Sequence, residues 1–425
     1  MYSLRFLREN AESVRAGVIA KGHPAESLDL VLELDRRRRG ILVELEHKRH
    51  EVRSTSRSIG TVKDKSERDV LIARTRAASE ALKPLEDSIA KVADELDAAL
   101  LDLPNTPHET TPLGSDASGN IPVADGGHVP DFEFEPRNHV DLAENLGLID
   151  FARSAKLSGS GFWLHFGASA RLQRALSNWM LDLQTREHGY TEVYPPALVR
   201  GSALVGTGQL PKFADDQYKI ASEDLWLIPT AEVPLTNIYA DEIIAEETLP
   251  LKFAALTPCF RREAGAAGTD TRGLLRVHQF DKVELVRITS PETGYSELEE
   301  TLEHALAPVK LLGLPYRVIE LCSGDLSLAS AKTYDIELWA PGTGRWLEVS
   351  SVSCFGEFQA RRMNLRCRSG GKGQVRHPYT INGSGLALPR LTVAIMENFQ
   401  QADGSIRLPE LLGERLGQAE ITTAG

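Results

Sequence analysis

The sequence predicts an α+β protein with an N-terminal antiparallel helical hairpin and a larger part in which helices flank an antiparallel β-sheet. Residues 28–103 are rich in Leu, Ala, Glu, Arg and Lys and contain Gly only at positions 40 and 60, which is typical of long helices. A segment rich in Pro and Gly follows at 104–136. Beyond it, short β-rich runs are joined by tight turns, and this favours antiparallel pairing.

The hairpin is clearest in its second half. Apolar residues recur there at steps of three or four and therefore share one helix face, namely Ala78, Ala81, Leu85, Ile89, Val92, Leu96, Ala99 and Leu103. A polar break at Ser58–Lys65 separates two helices of roughly 30 residues, each about 45 Å long at 1.5 Å per residue. Pro84 lies within the second helix, lacks a backbone N–H and is expected to kink it.

The segment 104–136 carries Pro and Gly so densely that we expect no regular element in it. The expected units are a helical arm at 1–106, a linker and entry segment at 107–140, and a large domain at 141–425. In the large domain we expect a helix at Ala168–His188 and a final apolar helix at Leu386–Gln400. The expected strands are Leu225–Ile228, Lys282–Ile288, Tyr316–Leu321, Tyr334–Leu338 and Trp346–Ser351.

Composition limits the classes of function. The chain has 425 residues, 42% of them hydrophobic, which suffices for a large core. It has no apolar run of membrane-spanning length, and its start is too polar and acidic for a signal peptide, so we expect a cytoplasmic protein without a membrane partner. Its net charge of −12 means that any nucleic-acid contact requires a local basic surface. The four cysteines have neither disulfide nor metal-ligand spacing, so no zinc is expected.

Three blocks occur in a fixed order along the second half of the chain. They are HGYTEVYPP at His188–Pro196, FRREAGAAGTDTRGLLRVHQF at Phe260–Phe280 and NGSGLALPR at Asn382–Arg390. Together they resemble the three motifs of class II aminoacyl-tRNA synthetases. Two further stretches, GTGQLPKF at Gly206–Phe213 and EVSSVSCFGEFQARRMNLR at Glu348–Arg366, are similar to the bacterial seryl-tRNA synthetases. The resemblance covers nearly the whole chain and implies a class II catalytic domain that acts as a serine–tRNA ligase.

No Walker loop is present, so a bound nucleotide must be held by side chains. Arginine binds phosphate through a planar fork, Glu263 can accept from an exocyclic amine, and Phe280 offers a flat surface to a base. The resemblance implies two catalytic arginines, Arg261 at the α-phosphate and Arg390 at the γ-phosphate of ATP. The ATP site it implies comprises Arg261, Arg262, Glu263, Val277, Phe280, Glu348, Val349, Ser350, Ser351 and Arg390. Glu348 and Ser351 are the implied ligands of Mg²⁺, which prefers hard oxygen donors.

The resemblance also implies an amino-acid pocket for L-serine. Its residues are Thr230, Ala231, Glu232, Glu284, Asn382 and Ser384. Carboxylates can bind the ammonium and the hydroxyl of serine, while Thr230 and Ser384 are small polar groups that leave a serine-sized space. A pocket built to bond a hydroxyl rejects the analogue that lacks it by about 10⁴–10⁵-fold, so alanine is expected to be excluded.

An otherwise acidic chain carries one basic helix. Between positions 36 and 57 it has three glutamates and eight basic residues, which are Arg36, Arg37, Arg38, Arg39, Lys48, Arg49, Arg53 and Arg57. Such a rod can contact the phosphates of an RNA arm, although a solvated helix face has the same composition. The resemblance implies that it grips the long variable arm of serine tRNA while the acceptor end enters the catalytic domain. It also implies a homodimer that packs through the first motif.

Four positions depart from the usual family pattern: Pro84, Gly161, Cys354–Gly356 and Pro389. A Pro in the first turn of a helix costs little, so Arg390 is expected to keep its position. The sequence leaves several alternatives open. They are a specialised seryl-tRNA synthetase of a natural-product or resistance pathway, additional charging of selenocysteine tRNA, a noncatalytic RNA-binding relative, and an amino acid:carrier-protein ligase, which would lack the long arm.

Overall fold

The computed structural model of the chain describes residues 1–264, 273–371 and 373–423. It separates into two compact units, Met1–Pro104 and Asn105–Gly425. The first unit is helical and the second combines a large, mainly antiparallel sheet with helices. The predicted α+β class is therefore confirmed. Within the described ranges, no helix is long and apolar enough to cross a membrane.

The N-terminal unit contains five helices. They are α1 (Leu4–Glu9), α2 (Ala11–Ala20), α3 (Glu26–Ile59), α4 (Lys65–Glu80) and α5 (Leu82–Asp102). Helix α3 packs against both α4 and α5, so the chain folds back at the polar break after Ile59, as predicted. Asp64 begins the return helix because its carboxylate accepts the Glu67 N–H at 2.9 Å, which satisfies a donor of the first turn.

The returning helix of the hairpin is divided in two. Helix α4 ends at Glu80, and α5 starts after the single intervening residue Ala81. Pro84 lies four residues after Glu80, has no N–H to donate to its carbonyl, and its ring clashes with that group in a continuous helix. The second helix is therefore not continuous over roughly 30 residues but is interrupted near Pro84, into segments of 16 and 21 residues, and Ala81 between them keeps right-handed helical dihedral angles of φ −76° and ψ −13°.

The core of this unit lies between α3 and α5 and is closed by the two short N-terminal helices, which the sequence pattern did not indicate. Its buried residues are Leu7, Val14, Val18, Leu28, Val31, Leu34, Val92, Leu96, Leu100 and Leu103. Asp35 is also buried, and its carboxylate accepts from Arg8 at 2.9 Å and from Arg39 at 3.1 Å. Two arginines thus compensate a charge that would otherwise be costly to bury.

The second unit contains nine labelled helices among the described residues. They are α6 (His139–Asn145), α7 (Phe151–Ser158), α8 (Gly167–Arg186), α9 (Gly201–Thr207), α10 (Glu232–Thr236), α11 (Gly294–Leu312), α12 (Phe358–Arg362), α13 (Leu388–Asn398) and α14 (Glu410–Leu416). The predicted helix at 168–188 corresponds to α8. The predicted apolar helix at 386–400 corresponds to α13, but it is not the final one, because α14 follows it.

The strands of this unit agree with the predicted β-rich runs and extend several of them. They are β1 (Ile121–Gly126), β2 (Thr191–Glu192), β3 (Leu198–Arg200), β4 (Leu225–Leu227), β5 (Ile243–Ala245), β6 (Leu251–Phe260), β7 (Gln279–Thr289), β8 (Tyr316–Glu320), β9 (Lys332–Ala340), β10 (Arg345–Cys354), β11 (Arg366–Arg368), β12 (Val375–Arg376), β13 (Tyr379–Ala387), β14 (Ile406–Arg407) and β15 (Glu420–Ile421). The largest sheet has the order β1-β8-β9-β10-β13-β7-β6-β2. All its pairs are antiparallel except β2 with β6.

Strand β1 corrects the expectation that the Pro- and Gly-rich segment has no regular element. It pairs antiparallel with β8 and lies at the edge of the sheet. Pro122 is tolerated there because an edge strand has one side without a neighbouring strand. A register shift between Pro122 and Ala124 marks the irregularity that remains.

Helices α8, α11 and α13 pack on the large sheet and bury the main core with it. From α8 the buried residues include Leu172, Leu176 and Met180, which follow the helical period. Helix α13 is buried along most of its length, and Pro389 lies in its first turn. These helices hold the central strands β6, β7, β10 and β13 in fixed positions, and the candidate site is built on those strands.

Candidate active site

A cleft of about 700 Å³ is formed by the central strands of the large sheet and the loops that leave them. Strand β7 contributes Phe280 and Lys282, which are two residues apart and therefore lie on one face of the strand. Strand β13 contributes Asn382 and Ser384 by the same alternation. Ser384 is directly opposite Glu284 in the register of β13 and β7, so the polar residues of both strands meet in the cleft floor.

One end of the cleft combines arginine with a flat aromatic surface. The guanidinium carbon of Arg261 lies 5.2 Å from the centre of the Phe280 ring, and its Nε donates to the Pro229 carbonyl at 3.4 Å. Glu263 forms an ion pair with Arg276 at 3.2 Å. The cleft is also lined here by Val277. This end offers a cation, a carboxylate and a ring, which can bind the phosphate, the exocyclic amine and the base of a purine nucleotide.

A second arginine approaches from the start of α13. Arg390 donates from Nε to the Leu275 carbonyl at 3.1 Å and from Nη1 to the Glu348 carbonyl at 2.8 Å. Its guanidinium also lies 3.6 Å from the Glu348 carboxylate. Pro389 precedes it in the first helical turn, as the sequence predicted, and does not prevent Arg390 from lining the cleft.

The strand that carries Glu348 has a β-bulge. Its register with β9 shifts between Glu348 and Ser350, so the alternation of faces changes by one residue. Glu348 and Ser351, which are three residues apart and would lie on opposite faces of a regular strand, therefore both line the cleft. Below them, burial and the neighbouring Glu348 raise the pKa of Asp335, which is hydrogen-bonded to Ser351.

The other end of the cleft is built around Glu284, whose side chain is fully buried. Its carboxylate forms an ion pair with Lys282 and accepts from the Thr230 hydroxyl at 3.0 Å and from the Asn382 amide at 3.3 Å. Thr230 also accepts the Glu232 N–H at 3.1 Å, at the start of α10. The three partners of the buried carboxylate, Thr230, Lys282 and Asn382, all line the cleft.

Glu232 is the second carboxylate at this end, and it lines the cleft directly. Its oxygens accept from Gln359 at 2.7 Å and, more weakly, from Gln209 at 3.5 Å. Burial, and to a lesser degree the negative charge of Glu284, raise the pKa of Glu232 to about 7. A carboxylate with this pKa gains strongly from a positively charged ligand, because such a ligand restores its ionised form.

The predicted site residues are distributed as follows. The cleft is lined by Arg261, Glu263, Val277, Phe280, Glu348, Val349, Ser350, Ser351, Arg390, Thr230, Glu232, Asn382 and Ser384. Glu284 and Ala231 are fully buried behind this lining. Arg262 is not part of the lining and instead donates to the Asp215 carbonyl at 3.0 Å. The middle of the second motif, residues 265–272, lies outside the described residues.

The sequence analysis missed a number of lining residues, and among the polar ones are Gln209, Arg276, Lys282 and Ser353. Lys282 had a signal, because it stands two residues from both Phe280 and Glu284 and shares their strand face. Arg276 could have been paired with Glu263 across the second motif. Gln359, which holds Glu232 from α12, had no sequence signal, because its contact crosses 127 positions of the chain.

Two departures from the family pattern have local explanations. Gly161 has φ of +78°, and a Cβ built there would come within 2.5 Å of the His278 ring, so a larger residue requires His278 to move. Gly356 has φ of +56°, which favours glycine. Cys354, two residues before it, is buried, and this burial raises the pKa of its thiol to about 12. The thiol is therefore unreactive at neutral pH.

The basic helix belongs to the N-terminal unit. Within that unit five of its eight basic residues form ion pairs with carboxylates: Arg36, Arg37, Arg39, Lys48 and Arg49. Arg38, Arg53 and Arg57 have no ion pair among the residues that the structure describes. These three are the positions at which a polyanion meets a cation without first displacing a carboxylate.

Two family models match the chain. A model of the tRNA synthetase class II core domain (G, H, P, S and T) matches residues 216–399, and one of the seryl-tRNA synthetase N-terminal domain matches residues 1–107. The serine–tRNA ligase of Thermomicrobium roseum is 48% identical over 98% of this chain and 94% of its own length. That of Geobacter sulfurreducens is 48% identical over 98% and 99%.

The chain belongs to the seryl-tRNA synthetase family. Seryl-tRNA synthetases are class II aminoacyl-tRNA synthetases, which are ligases, so the predicted family and enzyme class are confirmed. The seryl-tRNA synthetase of Pyrococcus horikoshii, solved in complex with ATP, superposes with a TM-score of 0.94 at 37% identity and 99% coverage of both chains. That of Naegleria fowleri, in complex with AMP, has a TM-score of 0.86 at 26% identity and covers 97% of this chain and 96% of its own.

The match to the seryl-tRNA synthetase N-terminal domain also bears on the open alternatives. A carrier-protein ligase would lack the long arm, whereas this chain has both the arm and the class II core. The amino acid:carrier-protein ligase is therefore not favoured.

Proposed function

We propose that the cleft activates L-serine with ATP to form seryl-adenylate, and that the chain then transfers serine to the 3′ end of serine tRNA. One observation carries this assignment. Arg261 and Arg390 line one cleft together with Thr230, Glu232 and Ser384, so groups suited to a triphosphate and groups suited to a small hydroxylated amino acid share one space. The ATP complex of the related Pyrococcus enzyme supports the nucleotide half.

In the nucleotide half, Phe280 stacks on the adenine and Arg261 contacts the α-phosphate. Arg390 reaches the γ-phosphate and holds the triphosphate bent, which exposes the α-phosphorus to in-line attack. Glu263 and the backbone at Val277 recognise the adenine edge, and Val349 and Ser350 complete the site. Arg262, which bonds the Asp215 carbonyl away from the cleft lining, has no contact with ATP in this proposal.

In the amino-acid half, Glu232 pairs with the substrate ammonium and Glu284 acts on the hydroxyl with Thr230 and Ser384. Thr230 and Ser384 are 5% and 8% exposed, so a ligand that fills the space desolvates them completely. Alanine would leave these polar groups unpaired, and the resulting discrimination is about 10⁴–10⁵-fold. Ala231 and Asn382 shape the pocket from behind and from the side.

Activation requires little acid–base chemistry. A carboxylate oxygen of serine attacks the α-phosphorus of ATP, a P–O bond forms, and the bond to pyrophosphate breaks. In the second step the hydroxyl of the terminal tRNA adenosine attacks the carbonyl carbon and AMP leaves. The guanidinium groups of Arg261 and Arg390 stabilise the charge that develops on the phosphate oxygens, and the cleft holds both reactants in line.

The residues at the β10 bulge fit the magnesium ion that the family resemblance implies. Glu348 has a half-exposed carboxylate, and the Ser351 hydroxyl, which bonds Asp335, is a second oxygen donor in the cleft lining. Two hard oxygen donors suffice for an ion that takes its other ligands from phosphate and water. When bound, Mg²⁺ supplies charge neutralisation between phosphates. Glu348, whose carboxylate lies 3.6 Å from the Arg390 guanidinium, and Ser351 would hold the ion.

The helical arm, proposed as a unit of residues 1–106, binds the long variable arm of serine tRNA through the basic residues of α3. The linker and entry segment (107–140) and the catalytic domain (141–425) complete the proposed organisation. The acceptor end enters the cleft. Because its tRNA substrate is cytoplasmic, we place the enzyme in the cytoplasm, as a homodimer that packs through the first motif.

The assay that tests this function is ATP–pyrophosphate exchange with each of the standard amino acids, followed by charging of purified serine tRNA. Exchange with serine and not with alanine, followed by charging, is the expected result. Exchange dependent on another amino acid would refute the substrate assignment. Serine-dependent exchange without charging would refute the transfer to tRNA and favour the amino acid:carrier-protein ligase, and the absence of any exchange would refute the activity.

A further inference from the structure

Lys282 is a buried cation in the cleft that has no role in the assignment above. It lies on β7 between Phe280 and Glu284, on the strand face that lines the cleft, and its side chain is only 7% exposed. Its ammonium is ion-paired with the Glu284 carboxylate, which is fully buried. A lysine placed here must lose most of its hydration, which is costly unless its charge is used.

The contacts of Glu284 indicate what that charge does. Its carboxylate has about four acceptor positions. Lys282, Thr230 and Asn382 use three of them. The carboxylate is therefore held in one orientation, with its charge compensated and about one acceptor position left for a ligand. A group in this state suits a hydroxyl better than a second cation.

Glu232 is in the opposite state. Its partners are the neutral amides of Gln359 and Gln209, so its negative charge has no cation in direct contact among the described residues. Glu232 is faced by two charged residues of β7, Lys282 and Glu284. Two further titratable or charged groups near this cluster are Cys259, from β6, and Arg261, from the loop after β6. When Glu232 is ionised, the two carboxylates and Lys282 together carry one net negative charge, which matches one substrate ammonium.

We propose that Lys282 is a positioning residue for the amino acid substrate: it orients Glu284 and cancels its charge, so that Glu284 receives the serine hydroxyl and Glu232 alone pairs with the ammonium. This inference rests on the proposed serine activation, including its assignment of Glu232 to the ammonium and Glu284 to the hydroxyl, and it adds the role of Lys282 in keeping the two carboxylates distinct. Without Lys282, two uncompensated carboxylates would share the pocket, and the pair would take up a proton in place of the substrate ammonium.

The inference predicts how serine binding depends on pH. Binding requires ionised Glu232, whose pKa is about 7. The KM for serine therefore depends on pH with a midpoint at the pKa of Glu232. Below this midpoint, the KM rises by about tenfold for each pH unit. Removing the positive charge of Lys282 leaves Glu284 uncompensated, which raises the pKa of Glu232 and moves the midpoint to higher pH.

The test measures the KM for serine by pyrophosphate exchange between pH 6 and 8.5 in four proteins: wild type, Lys282→Met, Glu284→Gln and the double variant. Lys282→Met should move the midpoint up, Glu284→Gln should move it down, and the double variant should return it to the wild-type position. Lys282→Arg, which keeps the charge, should keep the midpoint. The KM for ATP should stay within about twofold throughout, because the nucleotide contacts are unchanged.

Lys332→Met is the matched control, since Lys332 is also a buried lysine, ion-paired with Glu320 at 2.6 Å, but does not line the cleft. It should leave the midpoint unchanged. If the midpoint is the same in wild type and Lys282→Met, the inference is overturned, whereas serine activation stands. If Lys282→Met does not fold, the downward shift in Glu284→Gln decides, and its absence overturns the inference. A wild-type protein that does not activate serine overturns both.

Discussion

At the scale of single residues, neighbours of the same type have different roles because the backbone turns their side chains apart. Arg261 lies against the Phe280 ring and lines the cleft, whereas the adjacent Arg262 donates to a backbone carbonyl away from the lining. Two glutamates of the site likewise differ in how deeply they are buried. Glu348 is about half exposed and Glu284 is fully buried, so only the latter needs three partners.

Replacement of Arg261 by Ala should reduce serine-dependent pyrophosphate exchange by about 10²–10³-fold in kcat, because it removes one donor that stabilises charge in the transition state. Its structural contacts are a weak bond to the Pro229 carbonyl and the Phe280 ring, so the circular dichroism spectrum and thermal midpoint should change little. Arg186→Ala, at an exposed position of α8, is the control and should retain exchange. Near-normal exchange in Arg261→Ala would refute the role of this residue.

His165 should make the catalytic unit sensitive to acid. Burial lowers the pKa of His165 to about 4, while in the unfolded chain it titrates near 6.5. Between these values the unfolded state binds more protons, so stability is fully present above pH 6.5 and is lost as the pH falls toward 4. The loss is about 1.4 kcal/mol per pKa unit at most.

Urea denaturation of wild type and His165→Gln between pH 7 and 4.5 measures this effect. The difference in unfolding free energy between the two proteins should shrink as the pH falls. The difference is the proper quantity because Glu232, with its raised pKa, acts in the opposite direction in both proteins. His128→Gln, at an exposed position, is the control, and an equal pH slope in all three proteins would contradict the prediction.

At the scale of elements, small irregularities decide which side chains a strand directs to the cleft and where a helix is divided. The bulge in β10 brings Glu348 and Ser351 to the same face, and the break before Pro84 divides the returning helix of the arm. The alternation of β7 gives the cleft Phe280 and Lys282 and keeps Glu284 with them. Composition identified the strands and helices. The face of β10 on which Glu348 and Ser351 lie was set by a one-residue bulge, which composition does not specify.

The basic residues of α3 should matter for tRNA binding and not for serine activation. Replacing Arg38, Arg53 and Arg57 together by Gln should raise the KM for tRNA. It should also reduce the slope of log KM against log salt by about one for each phosphate that the variant no longer neutralises. Serine-dependent pyrophosphate exchange should be unchanged, because that reaction takes place in the other unit.

The control for the arm is the replacement of Arg5 and Arg76 by Gln. Both side chains are about four-fifths exposed, belong to the same unit and lie outside the basic stretch. Charging kinetics and salt dependence should stay close to wild type in this control. An unchanged salt slope in the triple variant would show that α3 is a solvated helix face.

At the scale of the whole molecule, the chain separates its charges between two units. The total is −12, yet α3 carries a basic stretch suited to a polyanion. The catalytic unit has its own exposed feature: Tyr194, in the first motif, is 96% exposed. Covering such an exposed aromatic ring with a partner lowers the free energy, because apolar surface is removed from water.

Replacement of Tyr194 by Glu should therefore convert the proposed homodimer into a monomer, since it places a charge in the contact and removes the ring. Light scattering across a range of protein concentrations measures the change. Leu157→Glu, at another exposed apolar position of the same unit, is the control and should remain dimeric. A wild-type protein that is monomeric at micromolar concentration would refute the dimer.

Much of the architecture was predictable because it depends on local patterns. The period of Ala78 to Leu103 identified a helix face, the break at 58–65 identified the turn of the hairpin, and β-rich runs identified the central strands. Strand β1 was missed because its composition matches a loop and it forms only by pairing with β8. The helices α1 and α2 were missed because they are short and their packing partner is α3.

By itself, the sequence determined the α+β class, the helical hairpin and the seryl-tRNA synthetase family, and it pointed to several of the polar and charged residues that line the cleft, because motifs and periodicity are local properties of the chain. Only the tertiary structure decided that Lys282 compensates Glu284, that Gln359 holds Glu232, and that Arg262 lies off the cleft. The physical reason is that compensation of buried charge depends on contacts between distant segments. Burial and charge partners set the pKa of each carboxylate, and neither can be read from neighbouring residues.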